Sequence, residues 1–219
     1  MRRPVRHPAP VAASAALALL MVLVVAGCAP PAQNAIVQST DQNGYLAGTA
    51  LTDPYELPDQ SLTDDSGSPY NLRTSPSKPV MLLFFGYVNC PDVCRAVLAE
   101  VATALQRSDA GVRDQVQVVF VSTDPARDTP TKIAAYLDRF DSSFVGLTGD
   151  LSTIKQVARR VGVDISGTKK LPSGGYDVGH SAQVIGFDSE HRGVVLWTPH
   201  NHTIADLKHD YGLLVERSR

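Results

Sequence analysis

Apolar residues along this chain fall into continuous runs and periodic stripes separated by polar turns, and their spacing predicts the elements. Residues 79–87 (PVMLLFFGY) form an unbroken apolar run, the pattern of a strand buried on both faces. Residues 115–122 (QVQVVFVS) form a second, rich in β-branched side chains. Between them, from 91 to about 107, Val93, Val97, Leu98, Val101 and Leu105 recur at helical spacing. Thr129 and Pro130 place a capping residue before a proline at the first helical position, and Ile133, Tyr136, Leu137 and Phe140 share one face after it. A short helix is predicted over 150–161, with Leu151, Ile154, Val157 and Val161 on one side. Strands are predicted over 182–187 and 193–197, joined by the polar turn 188–192, and an amphipathic helix over 203–216. Ahead of all these, Leu57, Leu62, Tyr70 and Leu72 flank the turn cluster Asp64-Asp65-Ser66-Gly67, which predicts a hairpin. The resulting order is hairpin, β, α, β, α, α, β, β, α. Buried strands alternating with helices imply parallel pairing, and the closing strands an antiparallel hairpin. This is the order of an α/β, thioredoxin-like fold with an N-terminal β-hairpin and an inserted helix.

The first residues follow a different rule. Arg2, Arg3 and Arg6 precede an apolar run over 11–26, too short for a comfortable span of about 20 residues but suited to a signal peptide. The run ends in Val25-Ala26-Gly27-Cys28, which resembles a bacterial lipobox. That resemblance implies a signal peptide over 1–27, lipidation of Cys28 and cleavage before it; an ordinary signal peptide or an uncleaved anchor is the alternative. The Arg2-Arg3 pair is a weak sign of twin-arginine export, since Pro4 and His7 follow it. Residues 28–54, rich in Pro, Gln, Asn, Ser, Thr and Gly, read as a flexible tether spanning on the order of 25–30 Å. The folded domain is then expected over 55–219.

Composition adds exclusions. With 43% hydrophobic and 19% charged residues the 219-residue chain fits a globular core. A formal net charge of −2 gives no electrostatic reason to expect nucleic acid as a partner, and no internal repeat is evident.

Export also changes how the three cysteines are read. With Cys28 lipidated, only Cys90 and Cys94 remain, too few for a disulfide scaffold and only four apart. Cys90 follows the first long buried strand and Pro91 is expected to open the helix, which puts Cys90 at the N-cap and Cys94 in the first turn. Both sulfurs then share one face. Unpaired N–H groups and partial positive charge at a helix start lower a thiol pKa, and thiolate is the form that binds metals and attacks disulfides. Arg95 adds positive charge there and Asp92 opposes it. Two thiolates suit Cu(I), zinc or iron–sulfur, with a further ligand required for a tight site. A buried, inert cysteine pair is the competing reading.

The segment Phe85-Gly86-Tyr87-Val88-Asn89-Cys90-Pro91-Asp92-Val93-Cys94 is similar to the Sco/SenC family signature FGYTHCPDVCP, departing from it at Val88, Asn89 and Arg95. Residues 121–130 (VSTDPARDTP) resemble the family's SVDPERDTP, and residues 144–149 (FVGLTG) its FIGLTG. Residues 176–181 (YDVGHS) resemble its Y-x-V-D-H-S, with Gly179 in place of the usual Asp. The four motifs occur in order, and the resemblance covers about 55 to 215. It implies that His180 joins Cys90 and Cys94 as the third ligand of a copper ion, Cu(I) or Cu(II). It also makes Asp124 a candidate for supporting the site or contacting a partner, against the simpler reading that Asp124 and Asp128 shape a turn and cap a helix. Gly179 removes an acidic neighbour of the histidine, and metal-bound imidazoles usually have such a partner. His200 and His202 form an H-x-H pair that reads more readily as a solvated loop than as a metal site.

The resemblance implies a metallochaperone rather than an enzyme. It would be membrane-anchored by lipid on the extracytoplasmic side, and would deliver copper to, or assemble, the dinuclear copper centre of cytochrome c oxidase subunit II. A copper-donating chaperone would be a further partner. The alternative is a thiol-disulfide oxidoreductase in which Cys90 and Cys94 cycle as a redox-active disulfide and reduce the copper-ligand cysteines of subunit II. The widened C-x-x-x-C spacing and the lack of a proline before the strand that follows His180 weigh against general disulfide exchange. A thiol peroxidase would want Thr three residues before the reactive cysteine, where Tyr87 stands.

Overall fold

The computed structural model describes residues 43–172, 174–199 and 202–219, all within one compact unit spanning 39–219. The expected signal peptide, Cys28, most of the tether and His200 lie outside the described residues. In chain order the elements are β1 (Thr49–Glu56), β2 (Ser61–Asp64), β3 (Pro69–Asn71), β4 (Val80–Gly86), α1 (Val93–Arg107), α2 (Ala110–Arg113) and β5 (Val116–Ser122). There follow α3 (Pro130–Leu137), β6 (Val145–Thr148), α4 (Leu151–Arg160), β7 (Ile165–Lys170), β8 (Tyr176–His180), β9 (Val184–Phe187), β10 (Arg192–Trp197) and α5 (Ile204–Arg217).

Eight strands form the main sheet in the order β1-β10-β9-β4-β5-β6-β2-β3. The centre, β4-β5-β6, is parallel, and the flanking pairs are antiparallel. The two long apolar runs are central because alternate side chains feed two separate cores. Val80, Leu82 and Phe84 of β4 join Val116, Val118 and Phe120 of β5 beneath α1, α3 and α5. Met81, Leu83 and Phe85 join Val119 and Val121 against α4 on the opposite face. Each Leu or Phe so buried contributes about 1.5–3 kcal/mol. Sheet order, parallel centre and helices on both faces give the thioredoxin-like architecture expected from the sequence.

Four features differ from expectation. The ordered domain begins before residue 55: most of β1 lies in the stretch read as tether, and β1 pairs with β10. Tyr45 is buried, and the Leu46, Ala47 and Gly48 amides donate to the Asp210 carboxylate. The 144–149 motif, not assigned to an element, contains β6, which closes the parallel centre. A short α2 intervenes before β5. Finally, β7 and β8 pair only with each other, as a separate two-stranded sheet that no hydrophobic pattern announced. Among the described residues no helix is long and apolar enough to cross a membrane.

Candidate metal centre

The chain leaves β4 at Gly86 and reaches α1 through a tight loop. The Cys90 amide donates to the Tyr87 carbonyl (3.2 Å), and the Val88 amide donates to the buried Asp128 carboxylate (3.0 Å). Asp128 also accepts from the Ser122 hydroxyl (2.7 Å), so one side chain ties the end of β5 to the loop ahead of the thiols. Burial raises the Asp128 pKa, opposed by those two hydrogen bonds. The helix begins at Val93, with Asp92 as its N-cap, rather than at Pro91. Cys90 therefore stands two residues ahead of the N-cap, while Cys94 lies inside the first turn as expected. Gly86 is required by close approach: a Cβ there would lie 2.9 Å from the Phe120 ring and 3.1 Å from Cys94 Sγ.

Cys90 and Cys94 are both free thiols, and both are buried. The Cys90 pKa is pulled down, first by the hydrogen bond from the Cys94 thiol, and further by the Asp92 and Cys94 amides, against the effect of burial. The Cys94 pKa is pushed up, because its proton is held by Cys90 and because it is buried. The first proton thus leaves the pair easily and the second with difficulty.

His180 is the last residue of β8, and the strand expected after it, β9, begins at Val184. Its Nδ1 lies 2.9 Å from the Ser181 carbonyl, which can only accept, so Nδ1 carries the proton and Nε2 presents its lone pair. Nε2 lies 3.5 Å from Cys94 Sγ. The ligand atoms of Cys90, Cys94 and His180 all lie within 4.8 Å of one another, and they form the one group of three or more His, Cys, Asp or Glu side chains poised for a metal among the described residues. Two soft sulfurs and an imidazole nitrogen with its lone pair free fit a copper ion.

Asp124 is buried two residues beyond β5. It accepts from the Tyr176 hydroxyl (2.8 Å) and pairs with Arg127. One of these partners, Tyr176, is on the hairpin that carries His180. The His202 ring instead meets Glu100 Oε2 at 3.1 Å. Residue patterns missed Tyr87, Arg127, Tyr176 and Asp177 as parts of the site. Tyr87 donates its hydroxyl to Asp177, and its ring meets the His180 ring edge-on, centroids 5.9 Å apart. The available signal was that all four lie inside the motif segments quoted for other residues.

A family model described as SCO1/SenC matches residues 49–211. A relative from Stutzerimonas stutzeri, named as a candidate copper-binding protein, is 32% identical over 158 residues, 70% of this chain and 76% of its own length. The mitochondrial protein SCO2 of Saccharomyces cerevisiae is 32% identical over 145 residues, 66% of this chain but only 46% of its own. Among solved structures, apo Sco1 from Thermus thermophilus superposes with a TM-score of 0.67 at 33% identity, covering 77% of this chain and 96% of that one. Copper-bound ScoI from Arabidopsis thaliana gives 0.64 at 28%, covering 75% and 97%.

Proposed function

The chain belongs to the SCO1/SenC family, and we propose that it is a copper-binding protein that delivers copper to, or assembles, the dinuclear copper centre of cytochrome c oxidase subunit II. The observation that carries this reading is the convergence of Cys90, Cys94 and His180 within 4.8 Å. Copper is cargo here. The low pKa of Cys90 supplies a thiolate at neutral pH, Cys94 supplies a second sulfur once its proton is displaced, and His180 Nε2 completes the set. The lipid on Cys28 would hold the domain outside the membrane near its acceptor, with a separate chaperone as copper donor.

Titration of the reduced protein with Cu(I) tests the site: about one copper per chain is expected, with His180→Ala weakening retention. Unchanged affinity in that variant refutes the three-ligand set. Cys28→Ala is expected to release the protein from membranes; unchanged retention refutes the anchor.

The thiol-disulfide oxidoreductase reading is favoured by one observation, two free, buried thiols four residues apart at the start of α1. Copper-independent turnover of a disulfide in subunit II would support it over delivery.

A further inference from the structure

The third ligand is carried by an arm rather than by the main sheet. β7 and β8 pair only with each other, and most of their residues are exposed or half-buried. A two-stranded ribbon is at best marginally stable in water, so other contacts must seat it against the thiols. At its base the Ser181 amide donates to the Asp164 carbonyl (3.0 Å). Above that, Val178 packs into the core and two side-chain clamps hold the polar positions.

Tyr87 makes the first clamp. Fully buried three residues before Cys90, it accepts the Cys90 amide on its carbonyl, lays its ring against the His180 imidazole at 88°, and donates its hydroxyl to Asp177. One residue therefore touches the thiol loop, the histidine and the arm. A hydroxyl-to-carboxylate bond is charge-assisted, about twice as strong as a neutral one. Arg127 makes the second clamp. Its guanidinium lies 3.6 Å from the centroid of the Tyr176 ring, donates to the Tyr176 carbonyl (3.1 Å), and pairs with Asp124, which also accepts the Tyr176 hydroxyl. Arg127 is also 5.7 Å from the Tyr87 ring centroid, so the clamps adjoin. No side chain at 179 takes part: a Cβ there would lie 2.1 Å from the Ser166 hydroxyl on the facing strand.

We propose that Tyr87 and Asp177 are positioning residues that seat the β7–β8 arm so that His180 faces the cysteine pair, with Arg127, Tyr176 and Asp124 fixing the arm's other side. The proposal deepens the copper reading and rests on it for the metal, though not for the seat. When the first clamp is broken the arm lifts, and the site reduces to two thiols.

The test uses the reduced full chain as wild type, Tyr87→Phe and Asp177→Asn, each also in a His180→Ala background. Tyr87→Phe keeps the buried ring and loses only the hydroxyl; Asp177→Asn changes a half-buried position and guards against misfolding of the first. Hydrogen exchange of the metal-free protein is expected to speed up about tenfold over 165–180 and stay unchanged in β4 and β5. Cu(I) affinity, read by competition with a chromogenic chelator, is expected to fall about tenfold with His180 present and less than about twofold without it. Unchanged exchange over 165–180, or an equal loss of affinity in both backgrounds, overturns the proposal. A wild-type protein that fails to hold Cu(I) overturns the copper reading instead, and the exchange result then decides the seat alone.

Discussion

The amides that stabilise the Cys90 thiolate belong to Asp92 and Cys94, at the start of α1. The largest effect, the Cys94 hydrogen bond, arises because the turn folds one sulfur onto the other. Reduced, metal-free protein should therefore be alkylated at Cys90 at a rate that stays flat from pH 8 to about 6, where an ordinary thiol slows nearly tenfold per unit. Mass spectrometry of the iodoacetamide-labelled chain measures it. A steep fall below pH 8 contradicts the assignment, and Cys94→Ala should restore that fall. The linkage has a definite sign. A pKa lowered in the folded state, from 9.0 to about 4, leaves the unfolded chain with more protons between those values. This contribution to the stability of the reduced protein accordingly rises with pH across that window and is lost as pH falls through the lower value. The upward shift of Cys94 acts oppositely, and only above pH 9.

At the scale of elements, legibility followed burial. β4 and β5 were readable because both faces are covered, so every position in each is apolar or buried. α4 and α5 were readable from their apolar faces, and each also carries its own cap: Asp150 accepts from the Ser152 and Thr153 amides, and Thr203 with Asp206 forms a capping box. β1, β7 and β8 carry no such signal. They are polar, β1 includes Pro54, and what holds them is main-chain pairing and distant side chains, which no local pattern encodes. The loop before the cysteines belongs to the same class, since its anchor, Asp128, lies 40 residues away. Asp128→Ala leaves the Val88 amide and Ser122 hydroxyl without their acceptor and should cost about 1–3 kcal/mol in urea unfolding. Asp128→Asn keeps an oxygen for both donors, and burial already disfavours the charge, so its loss should be less than half as large. Equal losses would mean that the charge, rather than the acceptor, holds the loop. α5 supplies a simpler case: Thr203→Ala, losing one side of the capping box, should cost about 1 kcal/mol with copper retention unaffected.

For the whole molecule, the two ends of the described chain meet at one carboxylate. Asp210 on α5 is completely buried, and it accepts from the amides of Leu46 (2.7 Å), Ala47 (2.9 Å) and Gly48 (2.8 Å) and from the Trp197 indole (3.0 Å). Trp197 in turn meets Tyr211 and Tyr45 edge-on, at 5.2 and 6.3 Å. The clamp explains why the domain starts ahead of residue 55 despite a tether-like composition. Three consecutive amides converge on one acid, and β1 then continues along β10. Asp210→Ala strands four donors, those of Gly48 and Trp197 buried and those of Leu46 and Ala47 part-buried, each worth up to about 1–3 kcal/mol where water cannot replace the carboxylate. A net loss of about 2–4 kcal/mol is expected, less than the full sum because water reaches the part-buried donors. Because the donors belong to the N-terminal segment, the loss should also be local. Limited proteolysis of the variant should cut between 43 and 56 well before the domain unfolds, while the wild type resists there. A variant that loses stability but keeps that segment protected would show that β1 is held by β10 alone, and that Asp210 serves Trp197 rather than the entry of the chain.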